Sequence, residues 1–141
     1  MLSSIHFAGN RDGGFFAPAQ YNNIMSTNNH IDLVEFPASS AEETKAVSKF
    51  FSAVFGWRFK EWGDTYSDTH DSGVAAAVNG SQTKEQTMPL AVIYAEDLEA
   101  TEATIVREGG AITHKISAFP GGRRFAFTDP AGNQLAVWSD K

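Results

Sequence analysis

This chain has no cysteine, which removes disulfides, zinc-thiolate sites and cysteine nucleophiles together. Metal binding or catalysis must therefore come from oxygen and imidazole. The candidate metal ligands are His30, Asp32, His70, Asp71 and His114. His70 and Asp71 fall in a polar run where a solvated side chain is the ordinary state, and the expected role of these histidines is surface. Two other features carry chemistry. Glu35 is an isolated acid in an otherwise strand-like stretch. It could act as a general base or hold a cationic ligand, with a pKa that rises on desolvation; the commoner fate of such an acid is to partner an arginine or a backbone amide. Arg123 and Arg124 form the only adjacent basic pair, able to clamp an anion through the guanidinium fork. A solvated strand edge is the alternative for at least one of them.

The bulk properties narrow the setting. The chain has 141 residues and a formal charge of -6. That length fits one domain, and the acidic balance opposes a nucleic-acid partner, whose affinity comes from clustered Lys and Arg. No stretch approaches the roughly 20 apolar residues needed to span a bilayer, so no membrane partner is expected, and the lack of cysteine fits a cytoplasmic setting. Residues 1–24 are rich in Gly and Asn, lack sustained periodicity and run into Met25-Ser26-Thr27. They are expected to be an extension outside a core of 25–141.

Within that core, His30 to Phe36 reads as a strand, with Pro37 at its end because proline cannot donate to a ladder. Ser39 and Ser40 each have a glutamate three residues on, the capping-box spacing. Val47, Phe50, Phe51, Val54 and Phe55 then form one helical stripe, stopped by Gly56. Strands are expected at Trp57–Trp62 and Val74–Val78, separated by the polar segment 63–72. A second round follows: a strand at Leu90–Tyr94, a helix from the Asp97 cap through Leu98, Thr101 and Ile105 to Gly109-Gly110, then strands at Ala111–Ser117, Arg123–Thr128 and Gln134–Trp138. Asp129-Pro130-Ala131-Gly132-Asn133 joins the last two as a turn.

This is an α+β pattern of two βαβββ modules, about 30–88 and 89–141. Paired, they would curl a mixed sheet into an open half-barrel cup with helices outside, a shape that commonly binds small molecules. Period-two alternation puts Leu33 and Glu35, then Leu90, Val92 and Tyr94, then Gln134, Ala136 and Trp138 on the cup face. Trp57, Trp62, Tyr94 and Trp138 could stack on a planar ligand or be ordinary core. The lining is expected to be mostly apolar and aromatic.

The run from Phe119 through Phe125-Ala126-Phe127-Thr128-Asp129-Pro130-Ala131-Gly132-Asn133 to Trp138 resembles the closing hairpin of glyoxalase-like proteins. Phe50-Phe51-Ser52-Ala53-Val54-Phe55-Gly56-Trp57 resembles the first helix and its exit in that same vicinal-oxygen-chelate family. With Glu35-Phe36-Pro37-Ala38 and Glu96-Asp97-Leu98, the resemblance covers residues 30–140. The stretch from Pro37 to Phe51 is longer than the family pattern by about one turn of helix.

Metal-dependent members draw four cavity ligands from His, Gln and Glu. The resemblance carries those places onto Leu33, Ala76, Leu90 and Ala136, none of which has a side-chain lone pair. The implied function is a metal-free, cofactor-free cup binding a small aromatic or amphipathic molecule, a sequestration or carrier role like that of bleomycin-resistance proteins. Leu33, Glu35, Trp57, Ala76, Leu90, Val92, Tyr94, Arg123, Gln134, Ala136 and Trp138 are its expected contacts. The alternative is a lyase, isomerase or dioxygenase of the glyoxalase type, with a divalent metal or with Glu35 as a metal-independent base. The resemblance also implies a homodimer.

Overall fold

A computed structural model of the chain describes residues 26–82 and 86–141; the expected extension at 1–24 lies outside the described residues. The elements run β1 His30–Pro37, α1 Ala41–Phe55, β2 Lys60–Glu61, β3 Tyr66–Thr69, β4 Ala76–Asn79, β5 Leu90–Tyr94, α2 Leu98–Arg107, β6 Ala111–Phe119, β7 Gly122–Thr128 and β8 Gln134–Ser139. Two βαβββ modules are thus present, joined in one eight-stranded mixed sheet of order β2-β3-β4-β1-β5-β8-β7-β6. Each module closes on itself through a parallel pair, β1 with β4 and β5 with β8. The modules meet through the antiparallel pair β1 and β5. No helix among the described residues is long and apolar enough to cross a membrane.

The helix ends follow from their residues. Ser40 Oγ accepts the Glu43 amide at 3.0 Å, and the Glu43 carboxylate reaches back to the Ser39 amide at 2.8 Å. One free donor of the first turn and the amide just before the cap are thereby satisfied. Asp97 caps α2 by accepting the Ala100 amide at 2.9 Å. Gly56 ends α1 with φ 75°, a conformation that costs glycine little.

Directly paired residues share a face of a sheet, so the register assigns the layers. Val34, Ala91 and Leu135 are in register on the outer face, as are Ile93, Val137 and Phe125. Leu98 of α2 packs there with Phe125, Phe127 and Val137. The inner face holds Leu33, Leu90, Val92, Tyr94, Ala136 and Trp138 in a second cluster with Trp62, Tyr66, Ala75 and Ala77.

Three expectations are corrected. The polar segment 63–72 is not merely a connection: it contains β3, buried along its whole length. Tyr66-Ser67-Asp68-Thr69 hides a strand in polar letters because Ser67 lies under α1, where its hydroxyl meets Ser48 Oγ at 2.6 Å. The Trp57–Trp62 strand shrinks to Lys60–Glu61. In α1 the phenylalanine stripe is only partly used. Phe51 packs on Phe36 at 5.1 Å, but Phe50, Val54 and Phe55 are 60%, 54% and 57% exposed. The helix meets the sheet through Thr44 and Ser48, small side chains that allow close approach. A Cβ on the facing Gly80 would sit 2.1 Å from Thr44 Oγ1.

Candidate functional site

The expected cup positions form a packed interior. Leu33, Leu90, Val92, Tyr94, Ala136 and Trp138 are each at most 4% exposed. Tyr94 and Trp138 meet edge to face at 5.1 Å, and Phe119 leans on Trp138 from β6. Tyr94 and Trp138, expected to stack on a ligand, therefore pack against each other. Trp138 is held further by a hydrogen bond from its Nε1 to Asp32 Oδ2 at 3.0 Å. Strict alternation from Leu33 places Asp32 on the face opposite the cup. The structure corrects this, because the register shifts between Ile31 and Leu33, and a β-bulge re-aims the side chain it carries. Tyr94 donates to Asp140 at 2.5 Å.

Two other expected contacts lie elsewhere. Trp57 stacks on Phe51 and Phe55, 5.2 Å from each, at the exit of α1. Ala76 is the register partner of Val34 and so faces outward, whereas Ala77 pairs with Glu35 and faces in. A parallel pair separated by a helix and two strands leaves no turn from which to count that register.

The arginine pair divides between the faces. Arg123 turns out to bond Glu99 on α2 and the backbone oxygen of Lys141, the latter at 3.0 Å. Arg124 turns into the cup and binds Glu35 through both terminal nitrogens, at 3.1 and 3.2 Å. The signal for Arg124 was present in the hairpin: Thr128 opposite Gln134 puts Ala126 and Arg124 on the face of Ala136 and Trp138.

Glu35 is fully buried and accepts further bonds from Tyr66 Oη at 3.1 Å and Gln82 Nε2 at 2.8 Å. Burial alone would raise its pKa, but the Arg124 charge and the hydrogen bonds from Arg124, Asn79 and Tyr66 outweigh it and hold the carboxyl below its usual value. Tyr66 moves the other way: burial first, then the neighbouring carboxylates, push its phenol well up. Of the two readings of Glu35, the structure has the ion-pair partner. A carboxylate with both oxygens already bonded and its proton affinity lowered is a poor general base.

The same arrangement tests the family's metal. Leu33, Leu90 and Ala136 face the cup without a donor, and Ala77, the inward neighbour of Ala76, has none either. Three acids lie on or turn toward this face: Glu35 is bonded to Arg124, Tyr66 and Gln82, Asp32 to Ser26 and Trp138, and Asp68 lies across Ala77 from Glu35. Among the described residues no three acids or histidines cluster closely enough to hold a metal ion. The side chains at these places do not fit a divalent ion, which needs several oxygen or imidazole donors. Elsewhere, His30 Nδ1 lies 2.9 Å from the Asn28 oxygen, and Asp71 is bound by Arg58 at 2.8 Å.

The open space lies at the mouth of the cup and is more polar than expected. One cavity of about 270 Å3 is bordered by Gln82, Gln86, Leu90, His114, Lys115 and Arg124, among others. A neighbouring one of about 290 Å3 shares Gln86, Leu90 and His114 and adds Gln134. Of the residues expected to touch a ligand, Leu90 and Gln134 border this space, while Leu33, Val92, Tyr94, Ala136 and Trp138 form the packed wall behind it.

A search of curated proteins finds no match. Solved structures share the fold. A Legionella pneumophila protein described as an NAD-dependent benzaldehyde dehydrogenase aligns with TM-score 0.63 and 11% identity, over 77% of this chain and 98% of that one. A Mn(II)-bound glyoxalase from Novosphingobium aromaticivorans aligns with TM-score 0.55 and 18% identity, over 82% of this chain but 40% of that one. A glyoxalase/bleomycin resistance protein/dioxygenase superfamily member from Vibrio splendidus 12B01 aligns with TM-score 0.54 and 14% identity, over 76% and 96%. At such identities the likeness is one of fold. A family model matches residues 24–137, and by that match the chain belongs to the Glyoxalase/Bleomycin resistance protein/Dioxygenase superfamily.

Proposed function

We propose that this chain is a metal-independent binding member of its superfamily, holding one small aromatic or amphipathic molecule at the mouth of the cup in a sequestration or carrier role. The observation that carries this reading is the Glu35–Arg124 pair. It ties up the carboxylate best placed for base or metal chemistry, while a cavity with convergent polar groups remains open beside it. The volume is at the low end for ligand sites, which suits a small molecule.

Thermal unfolding against a panel of small aromatic and amphipathic compounds tests the reading, with Mn, Ni and Zn in parallel and a turnover assay on a methylglyoxal-thiol adduct. A ligand that binds only the native state raises its melting temperature. The expected result is a rise with one compound class, none with the metals, and no turnover. Metal-stimulated turnover would overturn the proposal. The homodimer implied by the resemblance belongs to the same reading. A sedimentation mass of one 15.3 kDa chain would remove it.

A further inference from the structure

The edge strand β6 carries two irregularities. Its register against β7 slips by one residue between Ile112 and His114 and again between His114 and Ser117. In a regular strand, successive side chains point to opposite faces. Here consecutive residues share a space: Thr113 and His114 border one cavity, and His114, Lys115 and Ser117 border the other. Paired bulges around a single histidine, at the rim of a curved sheet, are the kind of device that re-aims side chains beside a binding site. Their effect is to bring His114 and Lys115 to the border of the cavity that Arg124 borders from β7; Lys115 also borders a groove against α2 beside Glu102.

Among the described residues, the charge at the border of that space is one-sided. Among the described residues bordering the two cavities there is no aspartate or glutamate, although the chain as a whole carries a net -6. Arg124 uses one N–H of each terminal nitrogen on Glu35, and a guanidinium has five N–H groups. Gln82 and Gln86 add amide groups at the rim, and Leu90 and Ala126 supply an apolar floor.

From this we infer that the cavity is a subsite for a small organic carboxylate. Lys115 and His114 receive the anionic group at the β6 bulges, and the apolar body rests on Leu90 and Ala126. The inference rests on the binding role proposed above and names the ligand class for it. One cation beyond the neutralised Arg124 matches a monoanion better than a phosphate ester.

The test is calorimetric titration with benzoate, with benzamide as its neutral counterpart of similar shape and with phenyl phosphate. Benzoate should bind about ten-fold tighter than benzamide, the difference expected of one charge-assisted contact. Lys115→Met should erase that ratio while Lys115→Arg keeps it, and both variants should unfold at the wild-type temperature because Lys115 is exposed. Equal affinity for benzoate and benzamide overturns the anionic assignment and leaves the binding role standing. Tighter binding of phenyl phosphate overturns the carboxylate. Binding of neither benzoate nor benzamide overturns the subsite, and the wider compound panel then decides the parent proposal by itself.

Discussion

Arg124 and Glu35 are 89 positions apart in sequence and on strands separated by two others, yet the guanidinium takes both carboxylate oxygens. In a flat sheet, β1 and β7 would be about 14 Å apart at the usual strand spacing. The pair therefore spans the cup as a cross-brace from one module to the other, possible because the sheet curls. Arg124→Met should strand the buried Glu35 carboxylate and cost about 3–5 kcal/mol, whereas the double variant Glu35→Leu/Arg124→Met should recover most of that loss. Urea unfolding of the two singles and the double measures the coupling; additive costs would show that the pair does not act as a unit.

Gly122 opens β7, and a Cβ there would lie 2.0 Å from the Ser139 oxygen on β8. Gly122→Ala must push the two strands apart two residues before Arg124. A destabilisation of about 1–3 kcal/mol is expected from such overpacking, readable as a lower thermal midpoint. An unchanged midpoint would mean that the β7–β8 end is loose enough to absorb a methyl group.

Half-buried His70 is expected to shape the acid branch of the stability curve. Burial chiefly lowers its pKa, against an opposing pull from Asp71, from 6.5 to about 4. As pH falls through that window, the unfolded chain takes up a proton that the folded chain refuses. The stabilisation from neutral His70 is thus full above pH 6.5 and is lost as pH falls through about 4. His70→Asn should flatten the stability slope between those values. Glu35, whose folded pKa is depressed, contributes stability present above 4.5 and lost further down as the carboxyl protonates. Urea midpoints at pH 7, 5.5 and 4 separate the two groups; a slope unaltered by His70→Asn would assign the acid sensitivity elsewhere.

How far the sequence could be read depended on where its information lay. Helix ends were legible because Ser40, Asp97 and Gly56 act on their immediate neighbours. Strands of the second module were legible because the Asp129–Asn133 turn sets the register of β7 against β8. β3 was hidden because Tyr66-Ser67-Asp68-Thr69 is polar, and its burial follows from partners far along the chain, Ser48 on one side and Glu35 on the other.

The site was less legible for the same reason. Arg124 could be reached by counting across the hairpin, but its tie to Glu35 depends on curvature, which no local pattern encodes. Ala77 in place of Ala76 depends on a parallel register, and the inward turn of Asp32 on a single extra residue. The bulges in β6 leave no compositional mark, so His114 reads as one more surface histidine until its ladder is traced.

The antiparallel joint between β1 and β5 has a consequence for how the chain is made. On a ribosome, β1 emerges long before β5 can pair with it and longer still before Arg124 arrives. The first module must spend that interval with a ladder edge unpaired and the Glu35 charge in water. A topology with contacts so distant in sequence folds slowly, and acquiring the native interior is then a late event that awaits the last hairpin. A ribosome stalled before residue 124 would hold a chain whose first half has no counter-ion for its central acid.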